Sequence, residues 1–238
     1  MRKRAAVPSM VTLCNLCCGF LAIAYAMDGK LVPAAWLIVI AGFLDAFDGK
    51  LARLMDSPSN FGVQFDSLAD VCSFGVAPAV LMFQYLQGML DAVWLPFAAC
   101  FLFLLCGALR LARFNVQVKG DEKEDFVGLP IPSAAATMAA YIVFAERVWQ
   151  STREPHVGLL LCLVLGLLMV SQFGYPAFPR FSIEARRDRW RLGIAVAAFI
   201  PVAIFPDEAF FPIAFAFSIS GAVRWLSHLI VHREVADM

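Results

Sequence analysis

Residues 31–87 read LVPAAWLIVIAGFLDAFDGKLARLMDSPSNFGVQFDSLADVCSFGVAPAVLMFQYLQ, which is two apolar runs separated by a short polar segment. A helix needs about 20 mostly apolar residues to cross a hydrocarbon core of about 30 Å. We therefore predict membrane-spanning helices over residues 31–54 and 66–87. Pro58 lies between them in a turn-forming segment, where a proline ends a helix. The stretch predicts a helical hairpin that crosses the membrane twice.

The rest of the chain has the same apolar character. Of its 238 residues, 61% are hydrophobic and 16% are charged, whereas soluble domains have about 45–50% apolar and about 25% charged residues. The formal net charge is zero, so no overall basic field indicates nucleic acid as a partner. The composition predicts an all-α integral membrane protein that forms one transmembrane domain over residues 1–238.

Apolar runs predict about eight spans in this domain. They lie at 10–28, 31–54, 66–87, 91–113, 132–150, 157–174, 191–206 and 209–231. The seventh run is short and contains Pro201 and Pro206. If the seventh and eighth runs form one re-entrant hairpin instead, six spans remain.

Basic residues are concentrated at one set of helix ends. With the amino terminus inside, all of the 19 lysines and arginines except Lys30, Arg147 and Arg153 fall at inner ends and in inner loops. Because cytoplasmic loops carry an excess of these residues, both termini are predicted to be cytoplasmic. The Met-Arg-Lys-Arg start is also typical of a signal peptide, although no small-residue cleavage site follows it.

Four aspartates lie at the predicted cytoplasmic ends of the second and third spans. Asp45 and Asp48 are three residues apart, and Asp66 and Asp70 are four apart, so each pair shares one helical face. A carboxylate inside a membrane costs about 2.5–3.5 kcal/mol, which makes such residues candidates for function. Four converging carboxylates repel one another unless a cation neutralises them, and an all-oxygen site suits Mg²⁺ or Mn²⁺. We predict a metal site, against the alternative of helix-end charges solvated by water.

The residues around these aspartates favour a ligand that carries phosphate. Gly49 and Ala52 leave one face of the second span without bulk, so a ligand can approach the backbone. Arg53 offers a planar fork of donors that matches phosphate oxygens. A metal beside an arginine predicts a substrate with phosphate groups.

The spacing of these residues resembles the signature of the CDP-alcohol phosphotransferase family. Residues 45–70, DAFDGKLARLMDSPSNFGVQFDSLAD, match D-x-x-D-G-x-x-A-R, then eight residues, then G-x-x-x-D-x-x-x-D, at every fixed position. The resemblance implies a bundle with a six-helix core, two divalent cations, and attack of an alcohol on the β-phosphorus of a CDP-linked lipid with release of CMP. It also implies a catalytic core over about 7–180, additional C-terminal helices over about 191–231, and a homodimer.

The same resemblance implies roles for single residues. Asp45, Asp48 and Asp66 would be metal ligands, and Asp70 would be both a ligand and the general base. The expected contacts to the CDP-lipid are Gly49, Ala52, Arg53, Ser59, Thr12 and Asn15.

Four further stretches narrow the resemblance. They are VPSMVTLCNLCCGFLA at 7–22, DSLADVCSFGVAPA at 66–79, ALRLARFNV at 108–116 and GLPIPSAAA at 128–136. Together they look like the bacterial, membrane-embedded CDP-diacylglycerol–serine O-phosphatidyltransferases within that family. This branch implies CDP-diacylglycerol and L-serine as substrates, phosphatidylserine as the product, and a cytoplasmic-side active site in the bacterial inner membrane. Two positions depart from its pattern: Ser9 replaces an expected asparagine, and Gly174 replaces a basic residue.

Arginines near the predicted cytoplasmic surface are candidates for the acceptor site. Arg110 and Arg113 are three residues apart at the end of the fourth span. They either snorkel towards lipid headgroups or bind the serine carboxylate or the lipid phosphate. Because Gly174 replaces a basic residue, Arg180 is a third candidate.

Other functions stay open at the level of sequence. The nearest alternative is the same chemistry with glycerol phosphate or inositol phosphate as the acceptor. A cation transporter would also use intramembrane aspartates, but it predicts acidic residues across the whole bilayer, whereas these collect at one end. In a purely structural membrane protein, these carboxylates would have no function that offsets the free-energy cost of placing them in the membrane.

Overall fold

The computed structural model describes residues 6–54, 60–87, 89–90, 92–117, 126–149, 154–175, 193, 197 and 200–236, with side chains outside the description at 6–9, 48–54, 60, 117, 126–127 and 228–236. Its principal helices are α1 (Ala6–Met27), α2 (Leu31–Leu54), α3 (Asn60–Asp70), α4 (Ala77–Leu86), α5 (Trp94–Gln117), α6 (Ile131–Phe144), α7 (Pro155–Val170) and α8 (Pro206–Ala236). Two π-helical segments, Val71–Val76 and Ala145–Trp149, follow α3 and α6. Helix therefore accounts for nearly all of the described backbone.

Four helices among the described residues are long and apolar enough to cross a membrane: Met10–Met27, Phe61–Leu86, Trp94–Val116 and Pro206–Ser227. Two shorter apolar helices cover Leu31–Phe47 and Pro155–Val170. The predicted all-α membrane class is confirmed. The count of eight spans stays a prediction, because residues 191–192, 194–196 and 198–199 of the seventh run lie outside the described ranges.

The turn between α1 and α2 follows from one glycine. Gly29 has a φ of 75°, a conformation that suits glycine because it lacks a Cβ. Its N–H donates to the Ala26 carbonyl at 3.0 Å, and the N–H of Lys30 donates to the Tyr25 carbonyl at 2.9 Å. These two bonds cap α1 in a Schellman motif, so α2 returns antiparallel against α1.

Helix α6 is the centre of the bundle. It packs against α2, α4, α7 and α8, and most of its side chains are buried. Alanines at 134, 135, 139 and 140 are all buried, and small side chains let helix backbones approach closely within a membrane. The predicted span over 132–150 is therefore enclosed by protein on most of its surface.

Two predicted boundaries are wrong. The third apolar run is expected to span the membrane from about residue 66, but its helix α3 already begins at Asn60, because helical hydrogen bonding does not depend on apolar side chains. The sixth span was expected to reach residue 174, but α7 ends at Val170. Gly174–Tyr175 form strand β2, which pairs antiparallel with β1 at Phe126–Val127. Gly128 permits this approach, because its φ is 86° and a Cβ there would lie 3.1 Å from the Ser171 carbonyl oxygen.

Candidate active site

Three of the four predicted aspartates converge in space. Asp45 comes from α2, while Asp66 and Asp70 come from successive turns of α3. Each offers one carboxylate oxygen, and these oxygens all lie within 4.8 Å of one another. The four-residue spacing puts Asp66 and Asp70 on one face of α3, and the hairpin brings that face to α2.

The three carboxylates differ in their burial. Asp70 is 9% exposed, and its Oδ1 is buried without a hydrogen-bond partner among the described residues. Asp45 and Asp66 are half-buried. A buried carboxylate oxygen without a partner is costly unless a cation or a donor satisfies it. The cluster thus fits a hard divalent cation such as Mg²⁺ or Mn²⁺, which prefers oxygen ligands.

Other predicted site residues are described only in their backbone or not at all. Asp48, Gly49, Ala52 and Arg53 are in the helical backbone of α2, but their side chains lie outside the described residues. Ser59 and Arg180 lie outside the described residues altogether, and their predicted roles stay predictions.

Helix α1 contributes buried polar residues to the same end of the bundle. Thr12 is 4% exposed and Asn15 is 1% exposed. The Asn15 amide lies beside the Asp70 carboxylate, yet neither amide atom makes a well-formed hydrogen bond with any described group. Asn15 therefore reaches the acidic cluster from inside the bundle, and the predicted contact of both residues with the CDP-lipid stays a prediction.

The π-helical segment after Asp70 holds α1 and α3 together. Ser73 lies in this segment and donates from its hydroxyl to the Asn15 carbonyl at 3.1 Å. Gly19 makes the close approach possible, because a Cβ on it would lie only 2.7 Å from the Ser73 Cα. π-Helical turns are rare and occur frequently at functional sites, which agrees with the position of this one directly after the acidic cluster.

Arg110 enters the site from α5. Its Nε atom is buried and has no hydrogen-bond partner in the described part of the chain. The guanidinium interacts electrostatically with Asp70 and with Arg113, and its Cζ lies 6.0 Å from the centre of the Phe114 ring. Both alternatives weighed for the arginine pair, snorkelling and binding of an anion, stay predictions. The side chain of Arg110 is half-buried beside Asp70.

Two residues near the cluster were missed by the sequence analysis. Asn115 on α5 donates from Nδ2 to the Ser67 hydroxyl on α3 at 2.9 Å. Both residues lie inside stretches that carry the family resemblance, and Ser67 stands between Asp66 and Asp70 in the motif. Their positions were therefore a signal, but nothing in the local sequence indicates that they pair.

All of these groups lie near the same ends of the apolar helices. Asp45 is close to the end of Leu31–Phe47, Asp66 is close to the start of Phe61–Leu86, and Arg110 is close to the end of Trp94–Val116. The arrangement is an acidic cluster with an arginine beside it, at one end of a multi-pass membrane protein. Such a site can bind a metal and a phosphate-bearing ligand together.

Comparison with known proteins identifies the family that this chain resembles. A family model described as CDP-alcohol phosphatidyltransferase matches residues 5–178. The CDP-diacylglycerol–serine O-phosphatidyltransferase of Helicobacter pylori is 33% identical over 223 residues, covering 92% of this chain and 90% of the relative. The enzyme of that name from Methanocaldococcus jannaschii is 36% identical over 180 residues, covering 75% and 78%. The archaetidylserine synthase of Methanothermobacter thermautotrophicus is 35% identical over 173 residues, covering 72% and 70%.

The matched residues contain α1 to α7 and every described side chain of the acidic cluster. Three of the four motif aspartates, Asp45, Asp66 and Asp70, have carboxylate oxygens that the fold brings within 4.8 Å of one another. The sequence match and the geometry therefore agree, and the chain belongs to the CDP-alcohol phosphatidyltransferase family.

Proposed function

We propose that this protein transfers a phosphatidyl group from CDP-diacylglycerol to L-serine, forming phosphatidylserine and CMP. The observation that carries the proposal is the cluster of Asp45, Asp66 and Asp70, whose oxygens lie within 4.8 Å of one another in a member of this family. The printed activity of the relatives from Helicobacter and Methanocaldococcus supports serine as the acceptor.

Asp45, Asp48, Asp66 and Asp70 hold two divalent cations, Mg²⁺ or Mn²⁺, in this proposal. When bound, the cations supply positive charge that neutralises the diphosphate and the developing charge on CMP. Two features support the assignment. The donors are all oxygens, and the buried Oδ1 of Asp70 has no hydrogen-bond partner among the described residues.

Asp70 also acts as the general base. It accepts the proton of the serine hydroxyl as that oxygen forms a bond to the β-phosphorus. The bond from this phosphorus to the bridging oxygen breaks, and CMP leaves with that oxygen. Gly49, Ala52 and Arg53 on α2 bind the CDP moiety, with Ser59, Thr12 and Asn15 as further contacts.

Arg110 binds the carboxylate of the acceptor in this proposal. Its buried Nε lacks a described hydrogen-bond partner, and a buried guanidinium gains most from an anion that it can bind with two parallel hydrogen bonds. Asp70 lies within its electrostatic range, so an acceptor held there has its hydroxyl near the base. Arg113 and Arg180 either help Arg110 to bind the acceptor carboxylate or bind the lipid phosphate.

The distribution of basic residues supports an orientation with both termini and the active site on the cytoplasmic side of a bacterial inner membrane. A homodimer is part of the same proposal. Labelling of single cysteines placed at each terminus, from one side of sealed vesicles, tests the orientation.

The deciding experiment supplies purified protein with CDP-diacylglycerol and radiolabelled serine in mixed micelles with Mg²⁺ or Mn²⁺. Labelled phosphatidylserine and CMP are expected in equal amounts, and a chelator should abolish both. Glycerol phosphate and inositol phosphate, supplied in parallel, should give no CMP above background. CMP release with either of them and not with serine would replace the acceptor but keep the reaction class.

A further inference from the structure

The Ser67 hydroxyl joins α3 to α5 through two hydrogen bonds. It donates to the Val63 carbonyl one turn earlier at 3.0 Å. Because its proton is used there, its oxygen accepts from the Asn115 amide, whose Nδ2 lies 2.9 Å away. Residues 67 and 115 are 48 positions apart in sequence, so this bond fixes two distant helices relative to each other.

The position of Ser67 on α3 relates this bond to the acidic cluster. Successive residues of an α-helix are rotated by about 100°. Asp66 and Asp70 therefore lie about 100° and about 60° from Ser67, both to the same side. Any rotation of α3 that breaks the bond to Asn115 also shifts both carboxylates relative to Asp45.

Other described contacts oppose such a rotation mainly from the side of α1. Helix α3 packs against α1 and the following π-helical segment, and its described residues barely touch α5. Its outer surface exposes Phe61, Val63 and Leu68, with Leu68 70% exposed. Exposed side chains in contact with fluid lipid tails place little restraint on the rotation of the helix about its axis. The Ser67–Asn115 hydrogen bond therefore adds a directional restraint on the side of α5 to the packing against α1.

We infer that Asn115 is a positioning residue that acts through Ser67 to hold Asp66 and Asp70 in register with Asp45. The inference rests on the proposed metal site, because register matters most where three carboxylates must bind one centre. Neither residue touches the reacting atoms. Groups that orient metal ligands typically change metal affinity by about 10- to 100-fold when they are removed.

The test measures Mn²⁺ affinity of the full-length protein in micelles without substrates, by electron paramagnetic resonance of free Mn²⁺. Ser67→Ala and Asn115→Ala should each weaken Mn²⁺ binding by about 10- to 100-fold. The double variant should bind Mn²⁺ as tightly as the single variant with the lower affinity. Ser67→Thr keeps the hydroxyl and should restore affinity. Ser220→Ala is the matched control, because Ser220 also donates to a helical carbonyl and accepts from the Arg224 side chain but lies on α8.

The outcomes separate the positioning role from the metal site. Unchanged Mn²⁺ affinity in both alanine variants, or losses that add in the double variant, would overturn the pairing while leaving the metal site intact. A loss of thermal stability without a change in affinity would make the bond merely structural and would also overturn the inference. If the unaltered protein binds no Mn²⁺, the metal centre itself fails and the positioning role fails with it.

Discussion

Asp70 is the most enclosed of the three described carboxylates in the cluster. It is 9% exposed, whereas Asp45 and Asp66 are half-buried. Water can therefore hydrate Asp45 and Asp66 in part, while Asp70 depends on the groups that surround it inside the bundle. This difference assigns separate tasks to residues of identical chemistry, and it leads to separate expectations for their amide variants.

Asp66→Asn should remove activity mainly by weakening metal binding. The amide keeps the shape of the side chain but loses the charge that holds a cation. Removal of a residue that only orients a metal ligand typically costs about 10- to 100-fold. Because Asp66 is itself a ligand in the proposal, the activity should fall by more than this, and the apparent affinity for Mn²⁺ should also fall. Activity and Mn²⁺ titrations on the same preparation check this, and retained activity with unchanged metal dependence would contradict the assignment.

Asp70→Asn should retain CDP-lipid binding, because the other carboxylates of the site can still hold metal. Proton removal from the acceptor should fail, and loss of a general base typically costs about 10²- to 10⁴-fold in rate. Binding and serine transfer are measured on one purified variant at saturating Mg²⁺. Loss of both together would make Asp70 chiefly a ligand, and near-normal transfer would exclude both roles.

Arg110→Gln should raise the KM for serine and leave the KM for the CDP-lipid nearly unchanged. The amide cannot form the two parallel charged hydrogen bonds of a guanidinium with a carboxylate, so a loss of about tenfold or more is expected, equivalent to about 1.4 kcal/mol. Arg224→Lys on α8 serves as the control. A change confined to the CDP-lipid would instead assign Arg110 to the lipid phosphate.

At the scale of elements, the junction of α1 with the π-helical segment determines where Asp70 lies. Ser73 bonds to the backbone of Asn15, and Gly19 lies one helical turn further along α1 against Ser73. The segment begins at Val71, directly after Asp70. Its packing therefore sets the position of the most enclosed carboxylate.

Gly19→Ala should destabilise this junction. The new Cβ would lie 2.7 Å from the Ser73 Cα, so α1 must move away, and overpacking of this kind costs about 1–3 kcal/mol. Gly166→Ala is the matched control, since its Cβ would meet its nearest neighbour, Cys106 Sγ, at an ordinary 3.5 Å. Thermal unfolding in micelles compares them, and equal midpoints for the two variants would show that the junction yields easily.

The elements also explain what the sequence could predict. Hydropathy located the described helices because apolar length determines which segments enter a membrane. The helical period likewise brought Asp66 and Asp70 together correctly. The π-helical turn at Val71–Val76 and the end of α7 at Val170 were missed, because both depend on packing between helices instead of on local composition. The Ser67–Asn115 bond was missed for the same reason, since it depends on how α3 and α5 are rotated.

At the scale of the whole molecule, α8 lies beyond residues 5–178, the part that the family model matches. A buried polar network joins it to that part. The Tyr175 hydroxyl donates to the Ser218 carbonyl at 2.7 Å, and the Thr137 and Ser218 hydroxyls lie 2.8 Å apart. Trp36 and Phe210 also stack with ring centres 6.0 Å apart. The C-terminal helix is thus part of the same bundle.

Tyr175→Phe should loosen α8 without changing the chemistry of the site. The lost hydrogen bond is worth about 1 kcal/mol. Burial raises the pKa of Tyr175 to about 12, so the hydroxyl stays protonated and the effect should be the same from pH 6 to pH 9. Unfolding midpoints check this against Tyr25→Phe, which alters an exposed tyrosine. A midpoint difference that vanishes at pH 9 would contradict it.

The acidic cluster near the ends of the apolar helices has a kinetic consequence under the proposed function. CDP-diacylglycerol stays within the bilayer and reaches the site by lateral diffusion, while serine arrives from water. The rate therefore depends on the surface density of CDP-diacylglycerol in the membrane and on the bulk concentration of serine in water. Diluting the membrane with inert lipid should slow turnover even when the total amount of CDP-diacylglycerol is constant, so the lipid composition of the membrane itself sets the rate of phosphatidylserine synthesis.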